Sequence, residues 1–166
     1  GYGHGVLTGL KSIEESKFIG WMHGDLQFEF AKLDNVYSEL LVASNENNYI
    51  FYKGKRVGRN FVEQFFSFFM GILATIILRV KLSEINAQPT IFSQELLDNF
   101  SNPPEDFSFD TYVYWLAIKN NYKVIRKEFF FPPRKYGSSK WNFGLYSRIK
   151  FSNDLLKYFF NLNKNS

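Results

Sequence analysis

The sequence predicts a layered α/β domain, because segments typical of strands alternate with segments typical of helices along its 166 residues. Residues 17–22, KFIGWM, form a short apolar run of the kind found in buried strands. Residues 6–13 instead place apolar side chains three or four positions apart, which is the spacing of an amphipathic helix. A chain of this length fits one domain of ordinary size.

The first part of the chain is expected to contain two pairs of helix and strand. Glycines at residues 1–5 lead into the first helix, and the strand at 17–22 follows it. A second helix is expected at 28–41. A second strand is expected at 48–54, NYIFYKG, whose apolar and aromatic residues suit a sheet.

Residues 61–80 form the longest apolar segment. Glu63 lies near its start, and Ser67 and Gly71 interrupt it, so its uninterrupted apolar part falls short of the roughly 20 residues that span a bilayer. We expect a buried helix or a helix on a membrane surface. A transmembrane span is the alternative.

The remainder of the chain continues the alternation. Pro103 and Pro104 predict a turn-rich loop, since proline does not fit inside regular elements. The expected elements here are a strand at 90–92 with a short helix after it, a helix at 109–121, a strand at 122–131 and a polar loop at 132–144.

Composition narrows the classes of function. The chain has no cysteine, which excludes disulfides, thiolate metal sites and cysteine nucleophiles. Its net charge of +4 lacks the concentrated basic stripe of a nucleic-acid-binding protein, so no nucleic acid partner is expected. We expect residues 1–150 to form the main domain and residues 151–166 a C-terminal helix with a frayed end.

Polar side chains directly follow the strand at 17–22. They are His23, Asp25 and Gln27 in the stretch HGDLQ. Open α/β sheets bind ligands at the carboxyl ends of their strands, so these residues are candidates for a site. The simpler interpretation is that Asp25 caps the helix that follows.

A run of basic residues precedes the long apolar segment. Lys53, Lys55, Arg56 and Arg59 fall within seven positions. Such a run suits the head groups of anionic lipids when it adjoins an amphipathic helix. The alternative is a solvated basic turn.

Five segments, in this order, resemble family-two glycosyltransferases, particularly the dolichyl- and polyprenyl-phosphate sugar synthases. The resemblance implies a GT-A fold, which is a Rossmann-like three-layer domain with an open mixed sheet. Such enzymes normally begin with a further βαβ portion that binds the nucleotide base, so an N-terminally incomplete domain is expected. The segments are GYGHGVLTGL, HGDLQ, KGKRVGRNFVEQFFS, SEINAQPTIF and FDTYVYWLAIKNNYKVIRKEFFFPPRKYGSSKW.

The resemblance also implies roles for single residues. Asp25 and Gln27 match the family's DxDxQ motif, which holds a divalent cation on the donor diphosphate, and His23 replaces its first acid. A cation of Mg²⁺ or Mn²⁺ is expected, and Mn²⁺ tolerates an imidazole better. The candidate catalytic residues are Asp25, Asp110 and Glu84. The other expected donor-binding residues are Gly3, Gly5, Arg134 and Lys140, and the expected acceptor-binding residues are Arg56, Arg59, Asn86 and Gln88.

The function implied is inverting transfer of a sugar from a nucleotide-sugar donor to a polyprenyl phosphate. The protein is expected in the cytoplasm, bound peripherally at the cytoplasmic face of a membrane. A saccharide hydroxyl in cell-surface glycan synthesis is an alternative acceptor, and it requires a general base, for which Asp110 and then Glu84 are candidates. A lipid- or partner-binding fragment without catalytic activity is a further alternative.

Overall fold

The structure is a computed structural model that describes residues 1–24, 33–59, 61–131 and 144–164, with the backbone alone for 144–151. Its described part contains helices on both faces of a four-stranded sheet. The helices are α1 (Tyr2–Lys11), α2 (Leu33–Glu46), α3 (Phe61–Leu78), α4 (Phe109–Lys119) and α5 (Gly144–Lys164), and the strands are β1 (Phe18–Trp21), β2 (Ile50–Val57), β3 (Thr90–Ser93) and β4 (Lys123–Phe130). A 3₁₀ helix, Gln94–Asn99, follows β3.

The sheet is open and mixed, with the strand order β1-β3-β2-β4. β3 is antiparallel to both of its neighbours, and β2 is parallel to β4. β1, β2 and β4 therefore run in one direction, and their carboxyl ends meet at the same edge of the sheet. The predicted α/β class with an open mixed sheet is confirmed.

Each face of the sheet has its own apolar core, because neighbouring residues of a strand point to opposite faces. Phe51 of β2 packs with Leu10 of α1 and Val113 of α4, and α3 and α5 add to this first core. The flanking Tyr52 packs instead with Leu40 of α2, on the second face. The chain thus covers both sides of its sheet with helices.

Several element ends differ from the sequence prediction; α2, for example, ends at Glu46 rather than at residue 41. β2 continues to Val57 rather than ending at Gly54, because it pairs with β4 in register from Ile50 through Val57. The polar residues at its end are held in the strand by that pairing. α5 begins at Gly144, so the predicted boundary at residue 150 falls inside a helix.

α3 has one buried side and one exposed side. Met70, Ala74 and Leu78 pack into the first core. Within the described part of the chain, α3 is the one helix long and apolar enough to cross a membrane, with a mean hydropathy of 1.9 and 22% of it buried. Its exposed large apolar residues are Phe61, Val62, Phe65, Phe68, Phe69, Ile72 and Ile76.

Candidate functional site

Several of the predicted site residues that the structure describes lie at the edge of the sheet where β1, β2 and β4 end. His23 follows β1, and Arg56 lies near the end of β2. The segment 84–89 enters β3 at the same edge, since β3 is antiparallel to β2. Ligands bind at this edge in open α/β sheets, so the topology agrees with the placement predicted from the sequence.

The segment before β3 is packed closely onto β2. The backbone N–H of Gly54 donates to the Pro89 carbonyl at 2.9 Å. A Cβ at Gly54 would lie 2.3 Å from the Gln88 carbonyl oxygen, so only glycine permits this approach. Glu84 has a φ of 47°, a left-handed conformation that is uncommon outside glycine.

Tyr2 brings α1, β1 and the segment before β3 together. Its hydroxyl oxygen accepts hydrogen bonds from Trp21 Nε1 at 3.1 Å and from Gln88 Nε2 at 2.9 Å. The hydroxyl proton is thereby left for the Asp110 carboxylate, to which Tyr2 is also hydrogen-bonded. Burial and the nearby negative charge of Asp110 raise the pKa of Tyr2, so the hydroxyl keeps its proton.

Asp110 is 3% exposed in the first turn of α4. Burial raises the pKa of its carboxyl group above the ordinary value, although the positive charge of Lys53 and the hydrogen bonds from Tyr2 and Trp21 oppose that rise. Its Oδ1 atom has no hydrogen-bond partner among the described residues. The Asp110 carboxylate is therefore oriented by its neighbours and retains a free acceptor.

Two buried amide oxygens in one short segment also lack partners in the described structure. They are Asn86 Oδ1 and Gln88 Oε1, both in the segment before β3. Buried polar groups normally find a partner, and an unpartnered oxygen in a folded protein requires an explanation. With Asp110 Oδ1, they are three buried oxygens near this edge whose capacity to accept a hydrogen bond is used by no described residue.

Arg56, Arg59 and Glu84 form a second polar group near the end of β2. Arg56 donates to Glu84 Oε2 at 3.0 Å, and Arg59 lies 3.9 Å from the same oxygen. Arg59 also pairs with Glu63 at 3.2 Å and donates to Ser67 Oγ at 2.9 Å. The Glu84 carboxylate is thus occupied by a guanidinium, which makes Asp110 the better placed candidate for a general base.

Lys53 was expected beside anionic head groups, and that prediction is wrong. The side chain is 0% exposed, and its ammonium donates to the Ala87 carbonyl and to Thr90 Oγ1, each at 2.8 Å. The alternation of side chains along a strand could have predicted this burial. Lys53 lies two residues after the buried Phe51, so both side chains point to the same face of the sheet. Of the other basic residues in the run, Lys55 is half-exposed and pairs with Glu128.

The glycine-rich start of the chain forms the first turn of α1. A Cβ at Gly3 would lie 2.4 Å from the Pro104 carbonyl oxygen, so Gly3 lets α1 pack onto the loop before α4. The neighbouring His4 N–H donates to the Glu105 carbonyl at 3.1 Å. Gly5 has open space around its Cα. The donor-binding roles of Gly3 and Gly5 stay predictions.

Of the predicted metal ligands, the structure places His23. Its ring meets Phe131 edge-on, with 6.0 Å between the ring centroids. Across the described ranges, no three His, Asp or Glu side chains converge into a group that could hold a metal ion. The other predicted ligands and donor-binding cations lie outside the described residues; they are Asp25, Gln27, Arg134 and Lys140.

Comparisons of the chain with known protein families, with curated proteins and with solved structures find no match. The resemblance to family-two glycosyltransferases stays a prediction from the five sequence segments.

Proposed function

We propose that this chain is part of a glycosyltransferase of GT-A fold that moves a sugar from a nucleotide-sugar donor to a polyprenyl phosphate. The five sequence segments support the enzyme class. One structural observation favours the lipid acceptor, namely the attachment of Arg59 to α3. That helix exposes an apolar face beside the basic residues at the end of β2.

Arg59 connects a cationic group to an apolar surface. Its guanidinium is bonded to Ser67, two turns into α3, and the flanking Phe65 and Phe68 are exposed. A polyprenyl phosphate combines the same two chemistries, an anionic head and a long apolar chain. Guanidinium groups bind phosphate through strong charge-assisted hydrogen bonds. The neighbouring apolar face of α3 suits the lipid or the membrane that carries it.

The transfer is proposed to invert the anomeric carbon. An acceptor oxygen forms a bond to that carbon from one face, while the bond to the nucleoside diphosphate breaks on the other and its electron pair leaves with the diphosphate. A phosphate oxygen is already anionic at neutral pH, so this acceptor requires cations to position it rather than a base. Arg56 and Arg59 are the described residues that supply them.

A divalent cation belongs to the proposal as well. Asp25, Gln27 and His23 would hold it, and this set of one carboxylate, one amide oxygen and one imidazole suits Mn²⁺ better than Mg²⁺. When bound, the cation would offset negative charge on the departing diphosphate. Arg134 and Lys140 are proposed to act on the same diphosphate.

The three unpartnered oxygens favour a second candidate, transfer to a saccharide hydroxyl. Asp110 Oδ1 is buried, oriented and free to accept a proton from such a hydroxyl. Asn86 and Gln88 would then bind neighbouring hydroxyl groups. Transfer to a saccharide hydroxyl needs a general base, whereas transfer to a phosphate oxygen does not.

Transfer assays with matched acceptors test the proposal. The full-length protein is incubated with labelled nucleotide sugars, Mn²⁺ and one of three acceptors: a polyprenyl phosphate, the same polyprenol without phosphate, or an oligosaccharide. We expect label in the lipid fraction only when the acceptor is the polyprenyl phosphate. Transfer only to the oligosaccharide would establish the second candidate. No transfer to any acceptor would instead support a binding fragment without catalytic activity.

Membrane attachment is proposed to be peripheral and on the cytoplasmic side, where nucleotide sugars are the donors. Its support is the exposed apolar face of α3, because seven large apolar side chains on one helix are unusual on a protein surface that only water covers.

A further inference from the structure

Gln88 is a buried polar residue in the segment before β3, with 2% of its surface exposed. One end of its side-chain amide is engaged, since Nε2 donates to the Tyr2 hydroxyl at 2.9 Å. The other end is not, because Oε1 has no hydrogen-bond partner among the described residues. A buried amide oxygen normally accepts a hydrogen bond from the protein, from an ordered water or from a ligand, because leaving it without a partner costs free energy.

The backbone on both sides of Gln88 is fixed to β2. The preceding Ala87 carbonyl accepts a hydrogen bond from the Lys53 ammonium at 2.8 Å. The following Pro89 carbonyl accepts one from the Gly54 N–H at 2.9 Å. The Gln88 side chain therefore projects from a backbone that its neighbours hold in place.

Tyr2 determines which end of the Gln88 amide is left without a partner. Its ring is stacked on the Phe107 ring with 4.6 Å between the centroids, and its oxygen also accepts from Trp21 Nε1 at 3.1 Å. A tyrosine hydroxyl donates one hydrogen bond, and the Asp110 carboxylate takes it. Toward Gln88 the hydroxyl is therefore an acceptor, which selects the NH₂ end of the amide and leaves the oxygen for another donor.

The unpartnered atoms near this edge suit one kind of ligand group. Asn86 Oδ1 and Asp110 Oδ1 are acceptors, as Gln88 Oε1 is. Such oxygens attract O–H groups and repel phosphate oxygens, which are anionic at neutral pH. The phosphates of a ligand suit Arg56 and Arg59 instead. In a protein that binds nucleotide sugars, the groups that can donate to these oxygens are the hydroxyls of a sugar ring.

We propose that Gln88 is a specificity-determining residue whose side-chain oxygen accepts a hydrogen bond from a sugar hydroxyl, and that Tyr2 is the positioning residue that fixes the amide in this orientation. The inference rests on the proposed function, because it takes its ligand from a sugar transfer. The hydroxyl can belong to the sugar of the donor or to a saccharide acceptor, and separate probes distinguish these two sources.

The proposed contact makes sugar affinity depend on Gln88. A site that hydrogen-bonds a hydroxyl discriminates against ligands without it, because the buried oxygen is then left unpaired. A trapped water on Oε1 predicts a different result, as does a role in folding alone. In both of those cases, replacing Gln88 changes the stability of the fold and leaves the affinity for the sugar unchanged.

The experiment isolates the part of the affinity that comes from the sugar. Isothermal titration calorimetry with Mn²⁺ and the full-length protein compares UDP-glucose and UDP-N-acetylglucosamine with UDP, and GDP-mannose with GDP. The ratio of each pair of affinities is the sugar contribution. Gln88→Met removes the amide and keeps a side chain of similar size. We expect it to lower the sugar contribution of a donor about fivefold, the effect of one hydrogen bond between neutral groups, and to leave the affinity for the diphosphate unchanged.

Gln94→Met is the matched control, because Gln94 follows β3 at the opposite edge of the sheet. It should leave every sugar contribution unchanged. Binding of maltotriose tests the second source. A loss of maltotriose affinity in Gln88→Met, with unchanged sugar contributions, would support the contact and assign the hydroxyl to a saccharide acceptor. Unchanged binding of all four sugars in Gln88→Met would overturn the proposal.

A second measurement applies if Gln88→Met does not fold. In the unmodified protein, the side-chain ¹³Cδ resonance of Gln88 responds to the hydrogen bonds that its oxygen accepts. We expect this resonance to move when a nucleotide sugar is added and to stay when the nucleoside diphosphate is added. A resonance that moves with none of the nucleotide sugars and not with maltotriose would refute the contact.

Tyr2→Phe tests the positioning role. It removes the oxygen that accepts from Gln88 Nε2 and keeps the ring that is stacked on Phe107. The amide can then rotate, so we expect the sugar contribution to fall about threefold. Tyr37→Phe makes the same change at an exposed position of α2 and should have no effect. A less stable Tyr2→Phe variant with an unchanged sugar contribution would contradict the positioning role.

Binding and transfer keep this inference distinct from the proposed function. A sugar contribution that Gln88→Met lowers, in a protein that transfers no sugar, would support the contact and refute the transferase proposal. An active transferase whose sugar affinity does not depend on Gln88 would refute the contact and leave the transferase proposal standing.

Discussion

The guanidinium of Arg56 donates to the carboxylate of Glu84 across 3.0 Å, joining the end of β2 to the segment that enters β3. Their side chains are 15% and 19% exposed, so the pair is shielded from most of the surrounding water. Arg59 lies 3.9 Å from the same carboxylate oxygen. A phosphate that bound both guanidinium groups would compete with Glu84 for them.

The first prediction follows from that competition. Glu84→Gln removes the carboxylate charge and preserves the size of the side chain, so Arg56 and Arg59 become more available to an anion. We expect the affinity for inorganic phosphate to rise about fivefold, because an ion pair of modest exposure is worth about 1 kcal/mol. Isothermal titration calorimetry measures the change.

The matched control is Glu128→Gln, which removes the carboxylate that pairs with Lys55, a half-exposed residue on the same strand as Arg56. It should leave phosphate affinity unchanged. Weaker phosphate binding in Glu84→Gln would show that Glu84 orders the two guanidinium groups rather than competing for them.

The second prediction concerns the exposed face of α3. Replacing Phe65 and Phe68 together with serine should lower binding to vesicles of anionic lipid at least tenfold, since each inserted phenylalanine contributes up to about 2 kcal/mol. The free energy of unfolding should change little, because both side chains are more than half exposed. Vesicle flotation measures the binding, and added salt should weaken it.

Two exposed residues of α2 provide the control for this face. Tyr37 and Val42 are 60% and 68% exposed, and replacing both with serine removes apolar surface away from α3. Equal flotation of the two double variants would contradict a membrane role for α3. Extraction at high pH then separates the remaining alternatives, since it releases a surface-bound protein and retains a spanning one.

The third prediction concerns the close contact at Gly54. Gly54→Ala places a Cβ 2.3 Å from the Gln88 carbonyl oxygen, which forces the backbone of one segment to shift. We expect a loss of about 1–3 kcal/mol in the free energy of unfolding. Gly9 lies in α1, and a Cβ added there would meet no atom within 4 Å. Gly9→Ala should therefore raise the free energy of unfolding by about 0.5–1 kcal/mol. Urea unfolding compares the two, and equal effects would contradict the packing described for Gly54.

Local patterns in the sequence predict the elements well where one property dominates. The apolar run at 61–80 gives α3, observed as Phe61–Leu78, because it is far longer than the roughly 4–8 residues of a typical strand. The strand predicted at 122–131 is observed as Lys123–Phe130. Polar residues were also expected directly after β1, and the structure places His23 of that group there.

The environment of single charges is harder to predict. Lys53 stands in a basic run that is typical of a solvated turn, yet strand pairing and the packing of α4 bury it. Its ammonium donates to the Ala87 carbonyl and the Thr90 hydroxyl, 34 and 37 positions away in the sequence, and no local pattern reveals such a contact. The Arg56–Glu84 pair, across 28 positions, was missed for the same reason.

The fourth prediction separates the two acceptor classes, because they require different groups. With a polyprenyl phosphate, Arg59→Gln should lower kcat/KM about 10–100-fold, since a hydrogen bond to a charged group is worth about 1.5–3 kcal/mol. Asp110→Asn should then have a smaller effect, because an anionic acceptor needs no base. Arg79→Gln is the matched control, since it removes an exposed arginine from the other end of α3.

With a saccharide acceptor the order reverses. Loss of a general base typically lowers the rate about 10²–10⁴-fold, so Asp110→Asn would then be the more damaging change. The full-length protein and its three variants are assayed with labelled donor and each acceptor in turn, and the variants are first checked for an unchanged free energy of unfolding. A larger loss for Asp110→Asn than for Arg59→Gln with the polyprenyl phosphate itself would contradict the proposed mechanism, because a base would then be essential for an acceptor that carries its own negative charge.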